Sequence, residues 1–134
     1  MNFQAESKKS GDAFEDLVLA DLKRSGVKDI QKNIVLGDLG IEVDFAYDTD
    51  YGKTYVEAKG GEFGKGKRPG AKRTDSVKKA IANGALVKSA YPDANYIVYF
   101  SDLAKHGSAS HKMIKNAIRA GYVDSFRYLI KMIP

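Results

Sequence analysis

Cysteine is absent from the 134 residues. That excludes a disulfide framework and any cysteine-ligated zinc or iron–sulfur centre. Histidine is nearly absent too: His106 and His111 are the only two. One falls in an expected loop and one on an expected helix, far in sequence from the acidic residues discussed below, so a surface or phosphate-contact role fits them better than catalysis. No apolar run approaches the length of a membrane span, and residues 1–9 are too polar for a signal peptide. A cytoplasmic location without membrane contact is the expectation. The glycine-rich stretch Gly60-Gly61-x-x-Gly64-x-Gly66 lacks both the Gly-Lys-Ser/Thr ending of a phosphate loop and the G-x-G-x-x-G spacing of a dinucleotide site.

What is present is enough for one globular domain. Hydrophobic residues make up 43% and charged residues 29%, which separates the chain from disordered sequences. The net charge of +5 is unevenly placed. Between Lys65 and Lys79 stand seven basic residues and the single acid Asp75, a local +6, so the rest of the chain is close to neutral at −1. A polyanion is drawn to that one place.

Periodicity sets out the elements. Residues 1–9 read as a flexible arm, and residues 10–134 as one domain. Ser10 is the expected N-cap of a first helix, with Phe14, Leu17, Val18 and Leu22 on one stripe. Strands follow over 30–36, 41–47 and 53–59. In the second, Ile41, Val43 and Phe45 alternate against Glu42, Asp44 and Ala46. In the third, Val56 and Ala58 face the core, and Tyr55, Glu57 and Lys59 the other side. The segment 60–72 holds five glycines and four basic residues and reads as a loop. A second helix spans about 74–90 with Val77, Ile81 and Ala85 inward and Gly84 as a weak point. Residues 95–101 are a buried strand, a third helix runs to Ala120, and a last strand covers about 122–132. The order α-β-β-β-α-β, then α-β, predicts an α/β fold: a mixed β-sheet flanked by helices.

Asp44, Glu57 and Lys59 carry the chemistry. Two carboxylates on neighbouring strands are hard oxygen ligands suited to Mg²⁺, with the Ala58 carbonyl as a further ligand. An ammonium on Lys59, two residues along the same strand face, can hold a water or stabilise developing negative charge. Taken alone, Glu-x-Lys on a strand is also an ordinary solvated face. Asp44 on the adjacent strand, and a basic loop leaving directly from Lys59, favour a phosphodiester site. Glu15 lies at the edge of the first helix's apolar stripe, from which a carboxylate can reach the sheet. Lys65, Lys67, Arg68, Lys72, Arg73, Thr74 and Lys78 are the expected DNA contacts, several of them near a helix N-terminus that favours phosphate.

With these residues in place, the chain resembles the PD-(D/E)XK nuclease superfamily. Asp44, Glu57 and Lys59 match its three signature positions, and the element order matches its restriction-endonuclease-like core. Phe14-Glu15-Asp16, Val43-Asp44-Phe45 and Val56-Glu57-Ala58-Lys59-Gly60 are similar to motifs of its small phage endonucleases, of junction-resolving, homing or restriction type. Val43 stands where the family usually has proline, and the loop 60–72 is longer than in the resolvases. The resemblance implies a Mg²⁺-dependent endodeoxyribonuclease (with Mn²⁺ able to substitute), phage-encoded in a bacterial host. Metal ligands would be Asp44, Glu57, the Ala58 carbonyl and Glu15, with Lys59 catalytic. Double-stranded or branched DNA is the implied substrate, and one site per chain against two strands implies a homodimer. The alternative is a DNA-binding module that keeps this core and does not cut.

Overall fold

A sheet whose strands are apolar on both faces must be covered on both faces. A computed structural model of the chain describes residues 3–60 and 74–129, with side chains from residue 13 onward. The elements are α1 (Phe3–Arg24), β1 (Gln31–Leu36), β2 (Ile41–Thr49), β3 (Gly52–Lys59), α2 (Thr74–Ala90), β4 (Asn95–Phe100), α3 (Ala109–Ala120) and β5 (Ser125–Tyr128). The five strands form one sheet in sequence order. β1, β2 and β3 are an antiparallel meander, and β3, β4 and β5 run parallel. This is the mixed α/β sheet that the sequence pattern predicts.

Each face has its own core. Phe14, Val18 and Leu22 of α1 pack on Phe45, Tyr47, Val56, Ile97 and Tyr99. On the other face, Val77, Ala80 and Val87 of α2 and Ile114 and Ala117 of α3 cover Tyr55, Tyr96, Val98 and Phe100. β3 and β4 are therefore buried on both sides, as continuous apolar runs in parallel sheets are. No helix of the described residues is long and apolar enough to cross a membrane.

Several expectations need correcting. Helix α1 already runs from Phe3: Gln4-Ala5-Glu6 and the two lysines that follow Ser7 are good helix formers, so Ser10 is an interior residue and not a cap, and the expected arm is mostly helix. Leu17 is exposed and leaves the α1 stripe. In α2 the buried line is Val77, Ala80, Gly84 and Val87, one step round from the expected Val77, Ile81 and Ala85. The last strand is shorter than expected, and Ile130 and Met132 lie outside the described residues. Helix α3 matches: Ser108 caps it by accepting from the His111 N–H, and Gly121 ends it in the left-handed conformation.

Candidate metal and phosphodiester site

The site begins where β2 and β3 part. Their ladder runs from Thr49↔Gly52 to Phe45↔Val56 and stops there. One residue further along, Asp44 Oδ2 accepts from the Ala58 N–H at 2.7 Å. A side-chain carboxylate thus takes the place of a strand carbonyl. The same residue breaks the alternation of β2. Val43 packs on the α2 and α3 side and Phe45 on the α1 side, although a regular strand would put both on one face. Opposite Asp44, Asn33 of β1 sits at φ 52°, between the pairs Lys32↔Phe45 and Ile34↔Val43. Asparagine tolerates that left-handed geometry better than most side chains. Beyond this bend the distal β1–β2 hairpin curls over the α2 side. Ile34, Leu36, Leu39 and Ile41 join that core, and Leu39 lines a pocket with Tyr91 at the far end of α2.

Glu57 faces α2 and is 3% exposed, so it lies on a covered face and not on the open one expected. Its Oε1 accepts from Asn83 Nδ2 on α2 at 3.0 Å, and its Oε2 lies 4.0 Å from Lys59 Nζ. Loss of hydration, and then the Asp44 carboxylate, push the Glu57 carboxyl up to about 7, against the pull of Lys59 and Asn83. The Tyr96 hydroxyl is buried close to Glu57, short of a well-formed hydrogen bond. Burial and this carboxylate raise the Tyr96 phenol well above its ordinary range.

Each carboxylate thus has one oxygen held by an amide donor, and among the described residues the other is Oδ1 of Asp44 and, facing the Lys59 ammonium, Oε2 of Glu57. The Ala58 carbonyl faces the same gap, because the N–H and C=O of one strand residue point to the same neighbour. Lys59, by contrast, turns its carbonyl to Ser101 on the β4 side. Oxygen-only donors beside two crowded carboxylates fit a small hard dication.

Among the described residues no three His, Cys, Asp or Glu side chains come together to hold one ion. Glu15, half-buried on α1, is therefore not gathered with Asp44 and Glu57. Its neighbour Phe14 presses on the end of β3, where a Cβ on Gly60 would lie 2.3 Å from the Phe14 ring. Glycine at 60 is what lets α1 close there. Of the expected DNA contacts, Thr74 and Lys78 are exposed on the first turns of α2. Lys65, Lys67, Arg68, Lys72 and Arg73 lie outside the described residues. The two histidines meet at the start of α3, with ring centroids 4.7 Å apart and His111 Nδ1 accepting from the Gly107 N–H.

Sequence reasoning missed Asn83 and Tyr96. The available signal for Asn83 was an amide on a helix next to residues that pack inward, since a polar group so placed needs a partner. Tyr96 carried no such signal inside an apolar run.

No protein-family model and no curated protein sequence matches the chain. Among solved structures it is similar to SfsA of Pyrococcus furiosus, determined in complex with Ca²⁺, with a TM-score of 0.51 at 17% identity. The likeness covers 90% of this chain and 55% of that one, so the chain spans little more than half of the SfsA chain's length. At that identity it is the fold that is shared, and the fold is restriction-endonuclease-like.

Proposed function

We propose that this chain is a metal-dependent endonuclease acting on double-stranded or branched DNA, and that it works as a homodimer. One observation carries the reading: Asp44 and Glu57 converge at the parting of β2 and β3, with Lys59 beside them. Asp44, Glu57 and the Ala58 carbonyl would hold Mg²⁺, or Mn²⁺ in its place. Once bound, such an ion neutralises phosphate charge and makes water a nucleophile near neutral pH. Ala58 N–H and Asn83 fix the two carboxylates in place. Lys59 orients the attacking water and stabilises the charge that develops on the phosphoryl oxygens. Glu15 is assigned an assisting, water-mediated role from α1. Thr74, Lys78 and the basic segment Lys65 to Arg73 hold the DNA backbone, which positions a duplex without reading its sequence. The Ca²⁺ held by the similar SfsA structure supports an oxygen-ligated cation on this fold.

The competing reading is a DNA-binding module that does not cut, and the near-complete burial of Glu57 favours it. One experiment separates the two. Plasmid is incubated with protein and Mg²⁺ or Mn²⁺, with EDTA as control. Cleavage that EDTA stops, and that falls at least about 100-fold in Asp44→Ala and Lys59→Ala, supports the enzyme. Undiminished cleavage by either variant, or none by the parent chain, overturns it.

A further inference from the structure

We infer that the outward face of α3 is a second DNA-backbone contact, separate from the basic segment that leads into α2. This inference rests on the nuclease reading above and extends its substrate surface. From Leu103 to Tyr122 the chain holds Lys105, Lys112, Lys115 and Arg119, both histidines, and no acidic residue. The fold arranges these charges. At about 100° per residue, Lys112, Lys115, Asn116 and Arg119 fall within an arc of about 100°. All four are exposed, while Ser110, Ile114 and Ala117 are buried on the opposite side of the helix. The stripe is therefore fixed outward by the packing of the inner face, and the caps at Ser108 and Gly121 define the helix at both ends.

The stripe is also uncompensated. Lys112, Lys115 and Arg119 form no ion pair with another described residue. Lys112 and Lys115 are three apart and Lys115 and Arg119 four apart, spacings at which like charges on a helix repel. A polyanion relieves that repulsion. Duplex DNA supplies about one negative charge per 1.7 Å of its axis, against a stripe about 10 Å long from Lys112 to Arg119.

Position favours the same partner. α2 and α3 stand side by side, and the groove between them, about 420 Å³, is lined by Lys78 of α2 and Asn116 of α3. The α3 stripe therefore adjoins the exposed basic residues at the start of α2. Both helices cover the face to which Glu57 points. The opposite face carries α1, whose five acidic and four basic residues nearly cancel and give no comparable positive stripe. A duplex drawn to the α2 and α3 side is drawn to the side of the site.

The test is binding of a labelled duplex in EDTA, so that no cutting intervenes, across a salt series. The parent chain is compared with the triple variant Lys112→Gln, Lys115→Gln, Arg119→Gln, whose changes are all at exposed positions and whose fold is checked by circular dichroism. The expected result is weaker binding and a salt slope, d log K/d log [salt], shallower by about one per cation removed, roughly 2 to 3 in all. Equal slopes in parent and variant overturn the inference and leave the nuclease reading standing. A parent chain that neither binds duplex nor cuts plasmid in Mg²⁺ overturns both. An unchanged slope with loss of self-association in sedimentation assigns the stripe to a protein contact and likewise overturns the inference.

Discussion

Glu57 concentrates the conflict between stability and chemistry in one side chain. It is buried, close to Asp44, and held up to about 7 by lost hydration and that neighbour. An unfolded chain titrates this carboxyl near 4.5. Between those two values the folded state binds the extra proton, so stability falls as pH rises through the interval and levels off above it. A shift of this size corresponds to on the order of 3 kcal/mol. Glu57→Gln keeps the shape and an oxygen for Asn83 while removing the charge. The variant should gain about 1–3 kcal/mol over the parent near pH ~8, gain little near pH ~5, and lose cleavage. Urea melts at the two pH values measure this. A variant less stable than the parent at the higher pH would show that the carboxylate is held favourably and that burial does not govern it.

Glycine on α2 decides an element-scale question that propensity answers wrongly. Exchanging an exposed helix glycine for alanine stabilises by about 1 kcal/mol, which is why Gly84 reads as a weak point. In the fold a Cβ at 84 would lie 2.4 Å from the Tyr122 carbonyl oxygen and 2.9 Å from the Tyr96 ring. The small residue lets α2 settle onto β4 and places Asn83 over Glu57. Gly84→Ala should therefore destabilise, by about 1–3 kcal/mol as in other overpacked cores, seen as a lower urea midpoint; a midpoint at or above the parent's would refute the close-packing account. The elements themselves were legible, because turn residues and periodicity mark all eight. Asp44, Glu57 and Lys59 were legible as neighbours, because the short turn after β2 makes β2 and β3 adjacent strands. The break at Asp44 was not, since a period of two presumes an unbroken ladder and the β2–β3 parting depends on a long-range contact to Ala58. Asn83 was hidden for the same reason: its partner is 26 residues away in sequence.

At the scale of the whole molecule, exposed basic residues of α2 and α3 lie on the side to which Glu57 points. The face toward which Glu57 points is covered by two helices with exposed basic residues, and the other by a helix whose acidic and basic residues nearly cancel. One chain offers the pair Asp44 and Glu57, and no group of three candidate ligands occurs among the described residues. The two strands of a duplex run in opposite directions, so cutting both at once calls for two sites related by a two-fold axis, which is the symmetry of a C2 dimer. Light scattering should then give twice the 14.7 kDa chain mass, and plasmid should pass from supercoiled to linear with little nicked circle. A mass of one chain together with accumulation of nicked circle would mean that each strand is cut in a separate encounter. In that case the basic face binds the duplex as a single copy, and the homodimer is removed from the proposal while the site chemistry is kept.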